Sequence, residues 1–182
     1  MKLLRTIRLD ASDTFVFEQA AAPGEWAVSG AFVFWGSDAS SLQGKARAAF
    51  RSGFLGVDTL GWSTLVQIVE ASAADRATLV DRLAQRLVEH FGAPDMAAAR
   101  AAAEEEVAFV ESLCTQPQDI LVAVHRVYED GAVRESFRTL RPRNGEKPAR
   151  AFSFLEVEGE GEDDAQPSET LDLMGMAERE RK

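Results

Sequence analysis

His125, Arg134, Ser136 and Arg138 are the side chains of this sequence that most readily suggest chemistry. An imidazole and a hydroxyl flanked by two guanidinium groups can hold a carboxylate or phosphate, because arginine presents a planar fork of N–H donors to paired oxygens. The four become neighbours only if the stretch folds as a hairpin. Asp130-Gly131 supplies the turn, since that dipeptide tolerates the positive φ values a type I′ turn demands. With Glu129 opposite Ala132, one face pairs Val127 with Arg134, His125 with Ser136, Ala123 with Arg138 and Leu121 with Leu140. The other face pairs Tyr128 with Val133, Arg126 with Glu135, Val124 with Phe137 and Val122 with Thr139, and reads as mostly buried, with Arg126 and Glu135 a cross-strand ion pair. Arg141, Arg143, Lys147 and Arg150 extend the basic character, and residues 134–150 carry a net charge of +4. Two readings stay open: an anion-binding face, or a solvated sheet face that docks the chain's own acidic tail. Hydrolysis by Ser136 and His125 has neither an orienting carboxylate nor an oxyanion hole in the sequence.

The remaining chemistry-bearing residues read as structural. Gly36 and the Gly44-Lys45 pair are separated by seven residues and Ala46 follows, so the four-residue spacing and hydroxyl of a phosphate loop are missing. Glu104, Glu105 and Glu106 lack the histidine three positions on that a helical di-iron site needs, and read as a solvated helix face with Arg100 one turn before Glu104. His90 lies beside Glu89 near a helix C-terminus, where the macrodipole favours a cation. Cys114 ends an apolar stripe with no base or cation beside it in sequence, and reads as a small core residue. No catalytic residue, metal ligand or cofactor is assigned.

A different kind of surface is offered by the C-terminal region. Glu156 to Glu169 holds seven acidic residues and little apolar character after Val157, so a flexible acidic tail is expected over 159–182. Within it Leu171, Leu173, Met174 and Met176 restore an apolar stretch of the kind that lies in a partner's groove, or packs back on its own domain.

The elements needed to position these groups follow from periodicity. Alternation and short apolar runs predict strands over Lys2–Leu9, Thr14–Gln19, Trp26–Val28, Ser63–Ala71 and Ala151–Glu158, besides the two hairpin strands, and Ala31–Trp35, apolar on both faces, reads as a central or covered strand. Helical spacing predicts a helix from Leu42 that stops at Gly53, a second after a Ser72/Asp75 capping pair and a third from Asp95 to about Cys114. Leu79, Val80, Leu83, Leu87, Val88 and Phe91 trace the second helix's stripe; Met96, Ala99, Ala103, Val107, Val110 and Cys114 trace the third's. Frequent hairpins and partly segregated helices imply an α+β fold, a mainly antiparallel or mixed sheet packed with about three helices, as a single domain over 1–158.

Composition bounds the function classes. With 182 residues, 46% of them apolar and one cysteine, the chain can bury an ordinary core and can form neither an internal disulfide nor a multi-cysteine zinc site. The N-terminus has no continuous apolar run and no stretch reaches 18 apolar residues, so a cytoplasmic protein with no membrane span is expected. Of the net charge of −10, residues 1–150 carry −3 and residues 151–182 carry −7. Nucleic-acid binding is thereby disfavoured.

Gly24-Glu-Trp-Ala-Val-Ser-Gly30, Gly44-Lys-Ala-Arg-Ala-Ala-Phe-Arg-Ser-Gly-Phe-Leu-Gly56 and Arg150-Ala-Phe-Ser-Phe-Leu-Glu-Val-Glu158 resemble segments of an uncharacterised proteobacterial family of small acidic cytoplasmic proteins. The resemblance covers residues 1–158. It implies an accessory role linked to a bacterial molybdenum oxidoreductase system, and brings no catalytic residue. The sequence thus leads to a non-enzymatic accessory or interaction protein with a protein partner at its C-terminal tail. The alternative is an anion-binding protein or enzyme using His125, Arg134, Ser136 and Arg138.

Overall fold

The computed structural model describes residues 1–141 and Glu156–Glu158. Eight strands form one sheet: β1 Lys2–Ile7, β2 Trp26–Val28, β3 Phe54–Gly56, β4 Trp62–Ser63, β5 Leu65–Glu70, β6 Leu121–Glu129, β7 Ala132–Arg141 and β8 Glu156–Glu158. Their order is β4-β3-β2-β1-β5-β6-β7-β8, and every neighbouring pair is antiparallel. Helices α1 Ser12–Val16, α2 Gly44–Ser52, α3 Ala73–His90 and α4 Met96–Leu113 complete an α+β fold. Register places Leu4, Ile68, Val66, Val122, Val124 and Arg126 on one face, and all six are buried.

The two long helices begin at side-chain caps. Ser72 Oγ accepts the Asp75 N–H at 3.1 Å while Asp75 Oδ2 accepts the Ser72 N–H at 2.9 Å, closing a capping box worth about 1 kcal/mol. Asp95 Oδ1 accepts the Ala98 N–H at 2.8 Å at the start of α4. Leu79, Val80, Leu83 and Leu87 of α3 are buried in the same core as Ala99, Ala103, Val107 and Val110 of α4, where alanine lets the backbones approach closely. Arg76 near the start of α3 pairs with Glu104 at 2.6 Å and Glu111 at 3.1 Å, which fixes the two helices antiparallel. Arg100 pairs with Asp81 of α3, so the expected bond to Glu104 on its own helix is replaced by contacts between helices.

Two expected strands are something else. Thr14–Gln19 contains the end of α1 instead. Asp10 Oδ1 accepts the Ser12 N–H at 2.8 Å, Thr14 Oγ1 donates to the Ala11 carbonyl at 2.5 Å, and these local bonds offer the backbone an alternative to a ladder. Phe15 and Phe17, expected to share a strand face, are separated: Phe15 is exposed and Phe17 is buried. Ala31–Trp35 is a 3₁₀ turn over Ala31–Phe34, because Gly30 at φ +77° turns the chain and its carbonyl accepts the Val33 N–H at 3.2 Å. Ser63–Ala71 divides into β4 and β5, and β3 adds a short strand that apolar periodicity does not reveal. Of Ala151–Glu158, the described part is β8, which places Val157 opposite Leu140. The acidic tail expected over 159–182 lies outside the described residues.

Candidate functional site

The hairpin carries the predicted basic group in the expected register, with all nine pairs from Leu121↔Leu140 to Glu129↔Ala132 formed. His125, Arg134, Ser136 and Arg138 are exposed on the open face of the sheet. Ser136 Oγ donates to the His125 carbonyl at 3.2 Å, and Arg134 lies 3.8 Å from Glu129 and 3.5 Å from Asp130. The backbone brings His125 and Ser136 together, while the hydroxyl is bonded to main chain. Leu171, Leu173, Met174 and Met176 lie outside the described residues.

The hairpin's other face holds a fully buried arginine. Arg126 Nε donates to Glu135 Oε1 at 2.6 Å. Nη1 donates to the carbonyls of Phe50 and Gly53 at 3.1 and 2.7 Å, and Nη2 donates to the Ser29 carbonyl and, at 3.1 Å, to Ser29 Oγ. Ser29 Oγ in turn donates to Glu135 Oε1 at 2.6 Å. One side chain thus joins β6, β7, the C-terminal end of α2 and the residue before Gly30. Only the forked donor array of arginine can reach so many acceptors at once.

Beside this knot stands Glu106, which the structure takes out of the solvated face expected for the three consecutive glutamates. It is half-buried, it accepts the Gly30 N–H at 3.1 Å, and burial pushes its carboxyl above the usual glutamate range against the opposing Gly30 hydrogen bond, with the Glu135 charge adding to the rise and Arg126 reducing it. No cation lies within ion-pair distance of Glu106 among the described residues. Arg126, the nearest candidate, is directed at Glu135. The signal for this was present in the spacing, because Ala99, Ala103, Glu106 and Val110 recur at four, three and four residues, the apolar stripe of α4.

Glu106 lines a groove of about 410 Å³ formed by the 3₁₀ turn, the end of α3 and the middle of α4. Phe32, Trp35, Leu87 and Phe91 supply its apolar walls, with Glu105 and Glu106 its charged side chains. Phe32 and Phe91 meet edge to face with centroids 5.3 Å apart. Trp35 is 76% exposed, the largest exposure of any bulky apolar residue described. The 3₁₀ turn, where a strand was expected, is what presents it: Phe34 packs inward at 5.2 Å from Phe50 and 5.3 Å from Trp62, which leaves the next residue outside.

Other ionisable groups serve the fold. Buried Glu25 accepts the N–H groups of Ala22, Asp58 and Thr59 at 2.7, 2.7 and 2.9 Å, tying down the loop after β3. Asp13 holds Thr64 through its N–H at 3.2 Å and its hydroxyl at 2.5 Å. Burial pushes the Cys114 thiol up to about 11, which leaves almost no thiolate at neutral pH. His90 sits in the last turn of α3, 3.7 Å from Glu89. Among the described residues no group of three or more His, Cys, Asp or Glu is arranged to hold a metal ion, and no helix is long and apolar enough to cross a membrane.

Comparison with known proteins adds a family and no activity. A model described as "Family of unknown function (DUF6505)" matches residues 1–153. No curated protein and no solved structure matches the chain.

Proposed function

The chain belongs to that family of unknown function, and from its own geometry we propose that it is a non-enzymatic accessory protein that works by binding a small molecule in the groove beside Trp35. The observation that carries the reading is the exposed indole standing over an apolar, aromatic-walled concavity. Exposing a tryptophan to water forfeits the stabilisation that its burial would give, so a protein that keeps one at the mouth of a groove has a surface suited to a ligand. A volume of about 410 Å³ falls within the roughly 300–1,000 Å³ of small-molecule sites. The bonding of the buried groups supports binding over turnover: Arg126, Glu135, Glu25 and Asp13 are each held by structural hydrogen bonds, and the Ser136 hydroxyl is bonded to a carbonyl.

A neutral fluorescent apolar probe, Nile red, tests the reading. Full-length protein is expected to bind it saturably and with one site, and Trp35→Ala, at an exposed position that leaves folding intact, is expected to weaken binding at least about fivefold. Equal binding by the variant would remove the groove as the binding surface.

A further inference from the structure

Resting on that reading of the groove, we infer that its ligand is an organic cation, a protonated amine carried on an apolar or aromatic body, with Glu106 as its counter-ion. The walls decide the sign. Glu105 and Glu106 line the groove and no Lys, Arg or His does so among the described residues. An anion entering there would meet two carboxylates in a partly desolvated space, where charges interact more strongly than in water.

Glu106 is also incompletely matched by its own protein. Its backbone donor at Gly30, with the Ser29 backbone beside it, leaves acceptor positions open on the carboxylate, and among the described residues no arginine or lysine lies within ion-pair distance of it. The carboxylate is raised in pKa chiefly by burial, so a cation placed beside it would relieve a cost that the fold itself imposes. Arg126 cannot turn to meet it, because every nitrogen of its guanidinium is bonded elsewhere.

The aromatic walls suit the same ligand. The faces of Trp and Phe rings attract ammonium and guanidinium groups, and Trp35, Phe32 and Phe91 line the same groove as the two glutamates. The chain uses this contact internally, where the Arg5 guanidinium lies 3.7 Å from the centroid of the Trp26 ring. The remaining wall, Leu83, Leu87 and Ala93, takes the apolar body.

Three indoles of matched shape and different charge test the inference by isothermal titration calorimetry on the full-length protein: tryptamine, its neutral alcohol tryptophol, and indole-3-propionate. Tryptamine is expected to bind at least about tenfold more tightly than tryptophol, and indole-3-propionate more weakly than both. Glu106→Gln keeps the acceptor for Gly30 and is expected to erase the preference for tryptamine while tryptophol binds as before; Glu105→Gln, at an exposed position, controls for general surface charge. Equal binding of tryptamine and tryptophol by the native protein, or a preference that survives in Glu106→Gln, would overturn the cation inference and leave the groove standing. Failure of all three at millimolar concentration would overturn both.

Discussion

Arg126 and Glu135, directly opposite each other on β6 and β7, form a 2.6 Å ion pair in which the guanidinium has no exposure to solvent. The pair is an anchor: the same guanidinium bonds Ser29, Phe50 and Gly53, and Ser29 leads into the Gly30 turn that sets out Trp35. A buried ion pair is costly to assemble, and breaking it by removing one partner costs more than the pair contributes, because the remaining charge is left unpaired.

Arg126→Met is therefore expected to destabilise the protein by about 3–5 kcal/mol, since it leaves the Glu135 carboxylate with the Ser29 hydroxyl but no counter-ion and strips three carbonyls of their donor. Urea unfolding followed by far-UV circular dichroism measures this. A loss below about 1 kcal/mol would mean that the knot contributes little.

Gly30 has a narrower tolerance. Its φ of +77° is a left-handed conformation, and a Cβ there would stand 2.6 Å from the Leu55 Cβ and 3.1 Å from the Trp62 ring. Gly30→Ala is expected to cost at least about 2 kcal/mol, from backbone strain and overpacking combined. Thermal unfolding of the variant checks the figure, and an unchanged melting temperature would contradict the role assigned to the turn.

Glu106 predicts a pH dependence with a definite sign. Burial raises its folded-state pKa above the ordinary value of about 4.3. As pH rises past the ordinary value the unfolded chain releases its proton first, so this group's contribution is fully present at low pH and is lost as pH passes through the raised value. Glu106→Gln removes that loss. The stability of the variant relative to the native protein should rise as pH increases past the ordinary glutamate value and level off above the raised one, read from urea midpoints; a difference independent of pH would contradict it.

Cys114, buried and with its thiol pushed up to about 11, should resist alkylation. Iodoacetamide at pH 7.5 is expected to label it only in denaturant, with at least a hundredfold slower labelling of the folded protein, as read by intact mass. Rapid labelling of the native protein would show that the end of α4 opens.

The sequence was most legible where local chemistry and fold agree. Asp130 and Gly131 both take positive φ, +53° and +78°, and that turn alone fixes the register of nine pairs, including Arg126 with Glu135. Ser72 with Asp75 and Asp95 with Ala98 set the helix starts in the same local way. Legibility failed where tertiary contacts decide. Phe15 and Phe17 alternate as a strand would, yet the side chains of Asp10, Asp13 and Thr14 stabilise a helical turn that sends them in different directions. The aromatic run Ala31–Trp35 reads as a covered strand, but Gly30 breaks it into a turn that buries Phe34 and exposes Trp35. Glu106 shares the spacing of the apolar stripe, and its charge hid its place because only the fold brings Gly30 and Arg126 beside it. Both residues at the heart of the groove were thus obscured by the same kind of context.

The central claim, that the groove beside Trp35 is the binding surface, is tested most directly by backbone amide chemical shifts of isotope-labelled full-length protein titrated with tryptamine. Perturbations gathered at Phe32, Trp35, Phe91, Gly92, Glu105 and Glu106 are the predicted result. Perturbations gathered instead at His125, Arg134, Ser136 and Arg138, or over 171–176, or none at millimolar ligand, would contradict it.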